Sequence, residues 1–194
     1  MGKGLLERLG QEFELKVTWI GYELHPDTPL KGARLADRFP NADLETLYAP
    51  LQARGEELGL VINPVQTLPN SRLALESAEY ARDRGCFEEF HDSVFRAHFA
   101  EGRDIGRFRV IADIAQQCGL DPQAVRTVLE SKIYTPRLRA ARDEGQAYGL
   151  KGIPLFVINE RFSIVGAQPL ERFRDMLASV TIGGVEGSRN GPNR

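Results

Sequence analysis

Cysteine is scarce: 194 residues hold only Cys86 and Cys118. A pair so far apart, in a chain without an export signal, is expected to be two free thiols rather than a disulfide. Long apolar runs are absent; none approaches the ~20 residues needed to cross a bilayer, which argues against a membrane-spanning role. The opening "MGKGLLERLGQEF" lacks the apolar core and small-residue cleavage site of a signal peptide. It begins Met-Gly, but Leu6 stands where a myristoylation signal needs Ser or Thr. The cytoplasm is the expected compartment. Charge of one sign is also missing. The net charge is −2, with Arg and Lys spread among Asp and Glu, so no basic footprint for a nucleic acid is present. No internal repeats occur.

What remains is 42% hydrophobic and 27% charged, a globular composition. Leu5, Leu6, Leu9 and Phe13 have helical spacing. Residues 15–24, "LKVTWIGYEL", carry apolar side chains on both alternating sets, Val17 and Trp19 against Ile20, Tyr22 and Leu24. That pattern predicts a strand covered on both faces. From residue 33 to 149 helices dominate, with one short extended piece expected at Leu60-Val61-Ile62. Asn70 or Ser71 can cap a helix running to about Arg84. Phe87, Phe90, Val94, Phe95 and Phe99 form an apolar helical stripe that reads as core. Ile111, Ile114, Ala115 and Cys118 repeat it, ending at Gly119. Asp121-Pro122 starts another helix, and one more is expected from Pro136 to Tyr148. Two strands, "PLFVIN" and "FSIVG", then make a hairpin across Glu160-Arg161. A helix with Leu170, Phe173, Met176 and Leu177 on one face follows. Residues 183–194 lack apolar content and are expected to be disordered.

Candidate chemistry is sparse. His91 and His98 share a helical face two turns apart, too distant for one metal without further ligands, so no metal site is expected. His25 precedes Pro26 in a loop and reads as a surface or capping residue. Cys86 follows Gly85 near a helix boundary with no Lys or His beside it to lower its pKa. The run "RLRAARDEG" reads as a solvated helix face. Pro154 is the odd placement. Proline cannot donate to a sheet ladder, so it is tolerated only at a strand's first residue or as a cis-proline in a tight turn.

Six segments in order carry a resemblance: "GYELHPDTPLKG", "NSRLALESAEYARDRG", "VFRAHFAEGRDI", "GLD" at 119–121, "GIPLFVIN" and "FSIVGAQP". With them the chain resembles the DsbA-like thioredoxin-fold oxidoreductases, specifically the FrnE-type subgroup, over about residues 1–178. The resemblance implies an α/β thioredoxin-like fold with an all-helical insertion. Residues 1–32 and 136–182 would form the thioredoxin-like part and 33–135 the insertion. It also implies a cis-proline loop at Ile153-Pro154, with Gly152 beside it, that binds an extended peptide or protein thiol/disulfide substrate and needs no cofactor.

The family's Cys-x-x-Cys is nowhere in the sequence, and Cys86 and Cys118 lie in the expected insertion. Met1-Gly2-Lys3 resembles the subgroup's positions just after that motif, so the first strand and the dithiol are expected upstream of residue 1. A misplaced start, or a stop codon read as selenocysteine, would explain this. Without the first strand, residues 15–24 and 155–158 are expected to form a defective three-stranded sheet, repaired by closing up or by a homodimer. Two alternatives stay open. One is a glutathione-dependent isomerase or transferase, related to 2-hydroxychromene-2-carboxylate isomerase and the kappa class, with serine replacing the first cysteine. The other is a redox-inactive peptide-binding module using Ile153 and Pro154.

Overall fold

The computed structural model describes residues 1–41, 43–150 and 152–186. In chain order it contains α1 (Gly2–Leu9), β1 (Ala33–Arg34), α2 (Leu35–Arg38), α3 (Leu44–Glu57) and β2 (Thr67–Leu68). Then come α4 (Arg72–Asp83), α5 (Phe87–Phe95) running into a π-helical turn (Arg96–Ala100), α6 (Phe108–Gln117) and α7 (Pro122–Ser131). The remainder is α8 (Thr135–Ala147), β3 (Leu155–Ile158), β4 (Phe162–Val165) and α9 (Leu170–Glu186). The contacts divide into two units: Met1–Thr18 with the chain from Leu150 onward, and Trp19–Gly149.

In the first unit β3 and β4 form an antiparallel hairpin, with Leu155 opposite Val165 and Ile158 opposite Phe162. Asn159 and Glu160 sit at φ 49° and 57°, and Arg161 N donates to Ile158 O, the geometry of a type I′ turn whose twist suits a hairpin. One face of the hairpin is anchored by Phe156, whose ring meets Phe173 of α9 edge-on at 4.8 Å. Phe173, Leu5 and Leu9 are fully buried, as their helical spacing predicts. Arg174 ties α9 to the end of α1 through a two-pronged ion pair with Glu12, 2.8 and 2.5 Å, which lowers the Glu12 carboxyl's pKa.

In the second unit α4 is the central helix, packed against α5, α6, α7 and α8. Ala81, Phe90, Ile111, Ile114, Ala115 and Val125 fill the core at 0–1% exposure. Asp121 caps α7 by accepting from Gln123 N at 3.0 Å, with Pro122 in the first turn. Asp121→Ala should therefore cost about 1 kcal/mol in urea unfolding. The Tyr134 hydroxyl donates to Asp83 Oδ2 at 2.7 Å. Burial first, then that hydrogen bond, push the phenol up to about 12 from 10.0. A raised acid group stabilises the fold fully below its unfolded value and loses that contribution as pH climbs to the folded one. Stability should thus fall between pH 10 and about 12, and Tyr134→Phe should flatten that fall when melting temperature is followed against pH.

Several expectations are corrected. Residues 14–23 form no strand, and among the described residues the only sheets are the β1–β2 and β3–β4 pairs. The three-stranded sheet is therefore absent. Instead the stretch from Trp19 to Thr28 is strapped along α4, running opposite to it. Arg82 Nη2 donates to Trp19 O at 2.6 Å, Arg72 grips buried Glu23 at 3.0 and 2.7 Å, and Asn70 Nδ2 donates to Thr28 O at 2.6 Å. Side chains, not a neighbouring strand, satisfy it, and Val17 and Ile20 stay exposed.

Leu60-Val61-Ile62 is not a strand either; the short ladder there pairs Ala33–Arg34 with Thr67–Leu68. It needs Gly32, at φ +82°, because a Cβ would fall 2.7 Å from Thr67 Cγ2 and 2.9 Å from Leu68 O. The phenylalanine stripe splits. Phe90, Val94 and Ala97 point into the core, while Phe95 is 48% exposed, because the i, i+4 set Phe87, His91, Phe95 forms a second ridge. His91 stacks 4.5 Å from Phe95 and 5.2 Å from Trp19. Helix α9 reaches Glu186, so 183–186 continue a formed helix, where each added residue brings a hydrogen bond. The rest of the expected disordered tail, 187–194, lies outside the described residues.

Candidate active-site loop

The peptide bond between Ile153 and Pro154 is cis. Gly166 N donates to Pro154 O at 2.7 Å, which sets the phase of the hairpin. In an antiparallel pair, alternate residues turn their backbone groups toward the partner and away from it. Phe156 and Ile158 therefore share the side of Pro154, facing β4, while Leu155 and Val157 turn their N–H and C=O outward. β3 has no second partner among the described residues. The amide and carbonyl of Ile153 likewise make no hydrogen bond to any described residue. Ile153 is 53% exposed, and a Cβ added at Gly152 would meet nothing within 4 Å. The loop and the outer edge of β3 form one open row of backbone donors and acceptors.

Helix α1 begins against this loop. A Cβ on Gly2 would stand 3.5 Å from Cβ and Cγ of Pro154 and 3.4 Å from Phe156 Cζ, which is van der Waals contact. No side chain caps α1 and no acidic residue occupies its first turn. The positive end of the helix therefore lies beside the proline, and such an end favours an anion such as a thiolate.

An open strand edge, a cis-proline and an uncapped helix start meet at this point. This chain belongs to the DSBA-like thioredoxin domain family. The family model matches residues 1–178. An uncharacterised Bacillus subtilis protein, YwbO, is 26% identical over 163 residues, 82% of this chain and 80% of its own length. A probable DsbA oxidoreductase from Streptomyces coelicolor matches in structure with a TM-score of 0.83 at 24% identity, over 100% of this chain and 86% of that one. A provisional protein disulfide isomerase from Nitrosomonas europaea matches with a TM-score of 0.56 at 16% identity, over 90% and 87%. The DsbA-like fold is thus thioredoxin-like, a helix-rich α/β arrangement, and the family is one of thiol–disulfide oxidoreductases.

The structure groups Gly152, Ile153 and Pro154 at this point and leaves the other candidates elsewhere. Cys86 and Cys118 are free thiols in the second unit, and burial raises the pKa of both, the opposite of what an attacking cysteine needs. His25 keeps to its loop, its ring 3.2 Å from Arg38 Nη2. Among the described residues no group of three or more His, Cys, Asp or Glu is placed to hold a metal ion. The sequence places Leu155 and Val157 in a strand and Gly2 beside the missing motif without assigning any of them to the site. The alternation from Pro154 is the signal for the first two; the contact of Gly2 with Pro154 has no local signal.

Proposed function

We propose that this chain holds the substrate-binding part of a FrnE-type protein thiol–disulfide oxidoreductase, whose catalytic dithiol lies in residues preceding Met1. The observation that carries the reading is the unpaired backbone of Ile153, continued by Leu155 and Val157, beside the start of α1. An extended peptide can add to such an edge as a strand, with the main chain supplying affinity. A cysteine just ahead of α1 would sit at the positive helix end, above Pro154. Its thiolate would attack a substrate disulfide, displacing one substrate thiolate and forming a mixed disulfide. The second cysteine would then attack that bond, freeing the second substrate thiol. Two electrons pass to the substrate, and the enzyme is left as a disulfide. No cofactor enters this cycle. The proposed partners are protein or peptide thiols and disulfides, and the proposed compartment is the cytoplasm. No helix among the described residues is long and apolar enough to cross a membrane.

The test is to express the reading frame extended upstream beside the 194-residue chain. With dithiothreitol supplied to re-reduce the enzyme disulfide, the extended protein should speed the reduction of insulin disulfides, while the shorter chain stays at the uncatalysed rate. An upstream Ser-Pro-x with glutathione-dependent isomerisation would instead select the isomerase reading. Peptide binding without exchange in the extended protein would select the redox-inactive module. Within the shorter chain, an unstructured peptide should shift the NMR amide signals of Ile153, Leu155 and Val157. Gly152→Ala should leave stability within about 0.5 kcal/mol yet weaken that binding roughly tenfold, because its methyl enters the space the peptide occupies. Pairing of β3 edges between two copies is the competing use of the same edge; a monomer by sedimentation equilibrium rules it out.

A further inference from the structure

In the second unit, residues 64–69 and the 98–107 loop line an open cleft of about 370 Å³, within the size range of small-molecule sites. Its two walls are fastened together: Asn63 N donates to Phe99 O at 2.7 Å and Asn63 Nδ2 to Ala100 O at 2.6 Å. Lys31, Arg103 and Arg107 converge on it. Asp104 is the carboxylate among them, and it is already engaged, accepting from Arg107 Nε at 2.9 Å and from Gly106 N at 3.0 Å. Arg103 is held in place by Asp113 at 2.7 Å. The Nη1 and Nη2 groups of Arg107 and the Nζ of Lys31 have no partner among the described residues. Helix α6 starts at this rim, with Arg107 as its N-cap and no side-chain cap; Val110 N is taken by Arg107 O, and the Phe108 and Arg109 amides add positive potential there. His98 lines the cleft, and burial lowers its pKa, which leaves a neutral imidazole at neutral pH. Pro64, Val65 and Pro69 supply an apolar strip on the remaining wall, interrupted by Gln66 and Thr67.

We propose that this cleft is a binding site for a small phosphorylated molecule, its oxyanion held by Lys31 and Arg107 and its organic body lying against Pro64 and Pro69. The site is independent of disulfide exchange. Arg103, already oriented by Asp113, supplies a further guanidinium at the oxyanion.

The test uses the 194-residue chain. Inorganic phosphate, phenyl phosphate and chloride are titrated at constant ionic strength while the amide signals of Gly102, Arg103 and Gly106 are followed by NMR. Saturable shifts with both phosphates, about fivefold tighter for phenyl phosphate, and none with chloride are the expected result. Lys31→Ala and Arg107→Ala should each weaken binding roughly fivefold or more, with Arg107→Lys retaining part of it. Lys31 and Arg107 are exposed, so these variants should fold, which circular dichroism checks. Non-saturating shifts, equal shifts with chloride, or variants that bind as the parent does would overturn the proposal.

Discussion

Phe173→Ala should cost about 3–5 kcal/mol and should empty the support beneath the cis-proline loop. Phe173 is 2% exposed and is the ring against which Phe156 packs edge-on. A two-stranded hairpin is marginal in water and needs a packed face to persist. For β3–β4 that face includes α9, through this aromatic pair. Deleting the ring removes the apolar contact and leaves a cavity, which the surroundings fill only in part. In the first unit the expected readout is rapid hydrogen exchange at Phe156, Ile158, Ile164 and Gly166, whose amides the ladder now protects. Peptide-induced shifts at Ile153, Leu155 and Val157 should disappear with it. Phe173→Leu, which keeps most of the volume, should retain the hairpin at a cost of roughly 1–1.5 kcal/mol. Exchange in the alanine variant as slow as in the parent would show that the aromatic pair does not hold the hairpin.

Phe90→Ala should be equally severe, about 3–5 kcal/mol, and should act on the helical unit. Phe90 is 0% exposed and sits in the cluster built by Ile111, Ile114, Val125, Ala81 and Tyr80 from three other helices. A domain holds only ~5–15 kcal/mol in total, so the loss is a large fraction of stability. Urea unfolding should show a lower midpoint with an unchanged slope if the native surface is otherwise preserved. Phe95→Ala, only five residues further along the chain, should change stability by less than half as much, because Phe95 is already 48% exposed. Equal effects at the two positions would contradict the division of the stripe into an inward and an outward ridge.

That division shows where sequence patterning stops. Helical periodicity identifies five apolar positions on α5 and its extension, but two ridges at i, i+4 spacing overlap within one stripe. Which ridge faces the core depends on what packs there, and α4 and α6 take the Phe90 side. The Trp19 segment fails for a related reason. Apolar residues on both alternating sets are what a covered central strand needs, yet a strand also needs a partner's backbone. Among the described residues that partner is absent, and Arg72, Arg82 and Asn70 hold the segment by side chains instead. The hairpin, by contrast, is legible because its information is local: β-branched runs, a two-residue turn and a proline at the mouth.

The sequence by itself determined the helices with caps and spacing, the hairpin, the place of Pro154 and the lack of a dithiol in this chain. All of these are set by residues within a turn or two of one another. Only the tertiary structure decided that Gly2 meets Pro154, that the outer edge of β3 lies open at Ile153, Leu155 and Val157, and that Lys31 joins Arg103 and Arg107 around one cleft. Each of these is a meeting of segments far apart in the chain. Its energy is gained only once the cores have closed, so no local pattern announces it.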